Sequence, residues 1–496
     1  MKMNRLLLIC ILPVLFSACD NWLNVQPEEQ ISEDEVFSTG NGYRNVLNGV
    51  YKSLSGVNMY GREMTWGLMD VLAQCYNVSK MPSEYPGRQY SEGAALYDYE
   101  YMDFHKLPQA IWEEGYNAVA NCNNLIAHAR HADPDLFELK ESERALLEGE
   151  ALALRAFIQF DMLRIFAPAP VTSPKGTYIP YIKGYPEVLS VKLSVEECMK
   201  NVIQDLEDAR KLVYKYDSTN VSRLRIEDRF NGPTDGRFFY YRGFRMNYYA
   251  VSGILARAYL YNNQPNEAYK IAKEIIDFQN NTKYYNFTSA SKMTKGNLKF
   301  YDDILCGFYS TKLTDWDKAL NDVLDADGNQ LFMEVKEVDN LFNGETDDYR
   351  KRYQLSAVNR LMKYAYQNNA TSEGILSSNL IPIIRMSEIY YIAAEACFDK
   401  DPSEAIDYLM QVKKGRNLRN VDLSGITLKS DFMDRLISDA RREFLGEGQM
   451  FYWYKRLGLP VGLDEIEVSP ATFCLPLPAT EVEFGNRTED YIKNLK

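Results

Sequence analysis

Apolar positions recur at three- and four-residue spacing over residues 109–130, 142–166, 194–214, 247–262, 265–279, 382–399, 402–416 and 431–457, with polar residues between them. That period marks amphipathic helices, so the chain reads as predominantly α-helical. The helix starts carry matching signals. Ser194 precedes Val195-Glu196-Glu197, a capping-box arrangement. Pro265 and Pro402 occupy first-turn positions after Gln264 and Asp401, where the missing N–H has no partner to lose.

Two stretches repeat one design. Ile254 to Ile276 reads ILARAYLYNNQPNEAYKIAKEII, and Tyr391 to Val412 reads YIAAEACFDKDPSEAIDYLMQV. In each, small residues two apart (Ala256 and Ala258, Ala394 and Ala396) close a first helix. A short polar loop follows, and Pro-x-Glu-Ala opens the second helix. Small residues there let antiparallel helices approach closely, the logic of tetratricopeptide hairpins. Segments 142–166 and 194–214 offer a third, degenerate unit. Between the helices lie long polar-aromatic stretches, 77–108, 167–192, 216–246, 280–330 and 458–496. They read as ordered excursions on a helical scaffold, with a few short strands such as Thr177 to Ile182. The fold class expected is all-α.

The first eighteen residues stand apart. Lys2 and Arg5 precede an apolar run from Leu6 to Phe16, then Ser17-Ala18 and Cys19. This is a secretory signal, too short to span a bilayer. A Cys directly after Ser-Ala predicts cleavage there and diacylation of the Cys19 thiol, which anchors the mature chain to a lipid bilayer. Residues 19–496 are then expected to form one domain, with halves of about 19–280 and 281–496.

Charge and cysteines narrow the function. The chain has 56 Lys and Arg against 69 Asp and Glu, a net charge of −13. Loss of Lys2 and Arg5 makes it about −15, which argues against nucleic acid as a partner. Cys75, Cys122, Cys198, Cys306, Cys397 and Cys474 are widely spaced and read as free small hydrophobes, not metal ligands. His128 and His131 share a helix face near Asp133 and Asp135, which reads as a wet helix end. No H-E-x-x-H, G-x-S-x-G or phosphate loop stands in the right context.

Six segments, in order, resemble the SusD/RagB family of outer-membrane nutrient-binding lipoproteins. They are CDNWLNVQPEEQIS from Cys19; Trp112, Tyr116, Val119 and Asn123 on one helix; GEALALRAFIQFDMLRIFAPAPVT from Gly149; IPIIRMSEIYYIAAEA from Ile381; RREFLGEGQMFYWYKRLG from Arg441; and the closing FCLPLPATEVEFGN. Ala167 stands where the family usually has Gly, and Gln449, Met450 and Trp453 also depart from its more frequent residues. The resemblance implies a helical fold with tetratricopeptide-like hairpins. It also implies capture of oligosaccharide at the cell surface and delivery to a SusC-like TonB-dependent porin, with no catalytic centre, no metal and no cofactor. A RagB-like branch that binds peptide is the alternative. A surface glycoside hydrolase would need two carboxylates about 5–10 Å apart across a cleft, and a purely structural surface protein would keep its loop aromatics packed inside.

A sugar ring offers a C–H face to an aromatic ring and hydroxyls to polar neighbours, so aromatic-rich loops are the candidate ligand sites. One is Trp66 through Tyr101, with Arg62, Asp70, Asn77, Tyr85, Arg88 and Tyr90. The other is Tyr284 through Trp316, with Asn286, Tyr301 and Asp315. Trp66 and Trp316 lead this set, while Trp112 and Trp453 are expected in the core. Arg385, Glu388, Glu395, Arg442, Glu443 and Glu447 are expected to link helices by buried ion pairs.

Overall fold

The computed structural model describes residues 32–81, 88–102, 104–186, 190–231, 237–313, 333–364 and 371–483. Its longer helices are α1 (Gly40–Leu54), α2 (Lys106–His131), α3 (Lys140–Phe166), α4 (Val195–Asp217), α5 (Tyr248–Tyr261), α6 (Pro265–Thr282), α7 (Met386–Cys397), α8 (Pro402–Gly415), α9 (Lys429–Glu443) and α10 (Met450–Leu457). The expected starts hold. Ser194 accepts the Glu197 N–H at 3.2 Å while Glu197 accepts the Ser194 N–H at 2.9 Å. Pro265 and Pro402 open α6 and α8, and Asp401 caps α8 through the Glu404 N–H at 3.0 Å.

Helices α1 to α8 pack each on the next in chain order. The two repeated hairpins, α5–α6 and α7–α8, are therefore stacked through α6 and α7, although residues 283–385 separate them in sequence. Helices α3 and α4 form the third hairpin. α3 is enclosed between its neighbours, and its residues from Ala145 to Phe166 are buried without a gap. Its charges are met inside: Arg155 pairs with Asp205 at 2.8 and 2.9 Å, and Glu150 accepts from Arg245 at 2.9 Å. No helix of the described residues is long and apolar enough to cross a membrane.

Two segments depart from the periodicity reading. Residues 382–385, the start of the segment read as helix, instead belong to strand β4 (Leu380–Arg385), antiparallel to β3 (Ile304–Tyr309) with Ile304 opposite Arg385 and Tyr309 opposite Leu380. The Ile-Pro-Ile-Ile run favours strand, and Pro382 opposes helix, so α7 starts only at Met386. The span 431–457 is two helices, because Gly446 (φ +82°) and Gly448 (φ +68°) hold left-handed conformations that helix cannot include. Strand β1 (Ile179–Pro180) falls within the expected stretch Thr177 to Ile182, and it pairs with β2 (Lys192–Leu193), which lies outside it. Helix α1 escapes the periodicity reading: Gly40, Gly42 and Gly49 lower its propensity, and its buried stripe is only Tyr43, Leu47, Val50 and Leu54.

Candidate functional site

Ligand capture needs an aromatic face open to solvent. The stretch from Tyr284 to Trp316 provides one, though not with the residues expected. The excursion that follows α4 and the one that follows α6 fold against each other. Tyr284 turns inward: its hydroxyl lies against the Val221 carbonyl and the Asp228 carboxylate and accepts the Leu224 N–H at 3.2 Å. Arg225 stands 4.5 Å from the centre of its ring. Burial, then the bond to Asp228, raises the pKa of that hydroxyl. Tyr301 is buried with Ile226, Ile304, Leu376 and Leu380, and Phe244 packs on that cluster. Tyr301 therefore lies in the base beneath Phe244, while Tyr284 packs against Phe278 and Tyr285, and neither offers an open face.

The face comes from strand alternation at the end of β3. Phe308 points inward and is 1% exposed; Tyr309 points outward and is 44% exposed. Tyr309 meets Phe244 edge to face at 5.7 Å, and Phe244 meets Tyr241 in the same way at 5.7 Å. Asn379 donates through Nδ2 to the Tyr309 hydroxyl at 3.2 Å, and the Ser310 N–H donates to the Asn379 carbonyl at 2.9 Å. The end of the two-stranded sheet thus orients the outward ring. Tyr241, Phe244 and Tyr309 form a ledge of rings at right angles, with Tyr241 and Phe244 half-buried. Trp316 follows shortly after Leu313 but lies outside the described residues, as do Tyr85, Asp315 and Cys19.

The stretch from Trp66 to Tyr101 is largely internal. Trp66 is 3% exposed; its Nε1–H donates to the Gly61 carbonyl at 3.0 Å and its ring lies 5.4 Å from that of Tyr364. It is a core residue here, because the loop carrying it is pinned beneath residues 333–364. Asp70 is fully buried and accepts the N–H groups of Gly446 at 2.6 Å and Gly448 at 2.9 Å, with the Tyr76 hydroxyl at 3.1 Å. Burial raises its pKa to about 7 against the pull of those bonds. Asn77 donates to Glu334 at 3.0 Å, and Arg62 pairs with Glu63 at 2.5 Å. Arg88 is half-buried and donates to the Met81 carbonyl at 2.8 Å and Glu92 at 3.0 Å. Tyr90 is half-buried against the core. Lys299 lies under Tyr364, 4.1 Å from its ring centre, so Trp66, Tyr364 and Lys299 connect the two aromatic stretches beneath the surface.

The charged helix ends are paired as expected. Arg257 pairs with Glu388, Arg456 with Glu395, and Arg442 with Glu345. Glu443 takes Arg350, Arg385 and Arg416 together, which holds its carboxyl well below the usual range despite burial. Asp303, sharing Arg385 and Arg416 with it, is pushed up by burial to about 6. These carboxylates are committed to arginines inside the protein. His128 stacks on Phe37 at 3.9 Å and bonds the Asn124 carbonyl through Nδ1 at 3.0 Å. Trp112 and Trp453 are buried, as expected, and the six described cysteines are free. Neither Tyr309 nor Phe244 stands out by composition; the available signal is the two-residue alternation that separates Phe308 from Tyr309.

Comparison with known proteins agrees over most of the chain. Residues 246–462 match the model described as "SusD family", and residues 21–224 match one described as "Starch-binding associating with outer membrane". The SusD-like protein P38 of Formosa agariphila is 23% identical over 499 residues, covering 90% of this chain and 89% of that protein. A SusD superfamily protein from Bacteroides thetaiotaomicron shares the fold with a TM-score of 0.68 at 22% identity, covering 90% of this chain and 98% of the other. Surface glycan-binding protein A from the same organism, solved in complex with laminarihexaose, gives a TM-score of 0.63 at 17% identity, covering 92% and 100%.

Proposed function

We propose that this chain, which belongs to the SusD/RagB family, is a surface glycan-binding protein that captures oligosaccharide on the ledge of Tyr241, Phe244 and Tyr309. The observation that carries this reading is the outward ring of Tyr309, oriented by Asn379 on a rigid sheet end. The C–H face of a sugar unit stacks on such a ring, and successive units run along the neighbouring edges. A family model described as starch-binding and a structural neighbour solved with laminarihexaose support glycan as the ligand class. The protein acts by capture and delivery, and catalyses no reaction. Its mature form, anchored through Cys19 after removal of residues 1–18, lies at the outer membrane and passes its ligand to a SusC-like TonB-dependent porin.

Isothermal titration of the mature chain against laminarihexaose, maltohexaose, other neutral oligosaccharides and a peptide digest tests the reading. Saturable binding of one glycan class, weakened in Tyr309→Ala, is the expected result. Binding of peptides alone would move the protein to the RagB-like branch, and glycan binding indifferent to Tyr309 would refute the ledge.

A further inference from the structure

A second aromatic surface lies on the helical hairpins, over the first turn of α5. Helix α5 packs between α4 and α6. Tyr214 on α4 and Phe278 on α6 flank Tyr248 and Tyr249, the first two residues of α5. The Tyr214 ring meets that of Tyr248 at 4.9 Å, Tyr248 meets Tyr249 at 5.2 Å, and Tyr249 stacks on Phe278 at 4.3 Å. The rings therefore run unbroken from α4 to α6. Tyr249 is their buried floor, and Tyr248 and Phe278 are half-buried. Tyr214 is 51% exposed, the most open aromatic among the described residues.

A polar bar closes one end of this groove. Arg210 and Glu274 stand one turn before Tyr214 and Phe278, on the same helix faces. They pair at 2.5 Å, linking α4 to α6. Both hold the Tyr248 hydroxyl, which accepts from Arg210 and donates to Glu274 at 2.5 Å each. The Arg210 Nε–H donates to Ser252 Oγ at 2.8 Å, so the guanidinium is fixed. An open ring beside a fixed donor and a fixed acceptor suits a sugar, which stacks through its C–H face and bonds through its hydroxyls. Charge narrows the class. Besides Arg210 and Glu274, the flanking ions pair as Lys273 with Asp277 at 2.7 Å, Lys211 with Asp208 at 2.9 Å and Lys215 with Glu141 at 3.5 Å. A groove rimmed by matched pairs favours a neutral ligand.

We propose that the groove of Tyr214, Tyr248 and Phe278 is a second, weaker site for neutral oligosaccharide. A sugar unit stacks on Tyr214, and Arg210 and Glu274 bond its hydroxyls. The proposal rests on glycan as the ligand class and shares no residue with the ledge. Between Phe244 of the ledge and Tyr248 of the groove, the chain passes inside through Arg245, Met246 and Asn247, all buried.

Titration of the mature chain with laminarihexaose, maltohexaose, cellohexaose and xylohexaose, wild type beside Tyr309→Ala, tests this. Tyr309→Ala is expected to retain binding of at least one hexaose, with a dissociation constant of about 0.1–1 mM, as befits a site that covers one or two sugar units. Adding Tyr214→Ala is expected to weaken that residual binding about tenfold, while the thermal midpoint moves by less than ~2 °C. Adding Tyr214→Phe keeps the ring and is expected to leave affinity within about twofold. Wild type that binds no hexaose would overturn glycan as the ligand class. Wild-type binding with none in Tyr309→Ala up to about 10 mM, or residual affinity unchanged by Tyr214→Ala, would overturn the groove alone. Equal losses in Tyr214→Phe and Tyr214→Ala would overturn stacking as its basis.

Discussion

Arg257 on α5 and Glu388 on α7 face each other in a two-bond ion pair, 2.6 and 2.7 Å long, across 131 residues of sequence. The Arg257 guanidinium also donates to the Ile383 carbonyl at 2.9 Å, so one side chain ties the first hairpin to both the strand and the helix that open the second. The pair is buried at 7% and 3% side-chain exposure. It acts as a register device between two hairpins that have no neighbouring sequence to align them.

Removing either partner strands a buried charge. Arg257→Leu and Glu388→Leu are each expected to lower unfolding free energy by about 3–5 kcal/mol, while the double variant recovers much of that loss. Urea denaturation of the four proteins checks this through the double-mutant cycle. Additive losses in the double variant would show that the two residues stabilise the fold independently.

Gly149 marks a close approach of α3 to α4. A Cβ there would lie 2.9 Å from Leu212 Cβ and Val213 Cγ1 and 3.1 Å from the Val213 nitrogen. Gly149→Ala gains up to ~1 kcal/mol of helix propensity, yet overpacking against a neighbouring backbone costs about 1–3 kcal/mol. A net fall in thermal midpoint is expected in a melting experiment, and a rise would mean that the two helices separate freely.

The scaffold was legible because helical hairpins are local: Ala256, Ala258, Pro265, Ala394 and Pro402 carry their meaning within a few residues. The stacking of α6 on α7 was not, because no local signal crosses residues 283–385. The same distinction explains the site. Trp66 and Tyr301 look like ligand platforms in a polar-aromatic loop, but the contacts that bury them, Tyr364 for one and Ile226 and Leu376 for the other, come from remote segments. Tyr309 is outward only because β4, more than seventy residues later, pairs with β3 and fixes which face is inside.

Asp70 gives the stability a pH dependence of known sign. Its carboxyl titrates near 7 in the folded protein, above the 3.8 of an exposed Asp, mainly through burial. Between those values the folded state holds a proton that the unfolded chain has lost, so this contribution falls as pH rises from about 4 to 7. In Asp70→Asn the slope is removed, and one glycine N–H faces an amide NH₂, at a cost of about 1–3 kcal/mol. The stability gap between wild type and variant should therefore be widest at and below about pH 4 and narrow toward neutrality. Urea midpoints at several pH values measure it, and a gap constant with pH would place the proton elsewhere.

Trp66→Ala and Tyr309→Ala separate core from ledge. Trp66 fills the space against Tyr364, and its loss should cost about 3–5 kcal/mol of stability, with oligosaccharide affinity unchanged per folded molecule. Tyr309 is nearly half exposed, so its truncation should alter stability by less than ~0.5 kcal/mol while weakening oligosaccharide binding about tenfold, as loss of an aromatic platform does. Paired denaturation and titration distinguish the two. If Trp66→Ala stayed fully stable and lost binding, the indole would have to open to solvent in the ligand-bound state and the ledge would extend across the Trp66 loop.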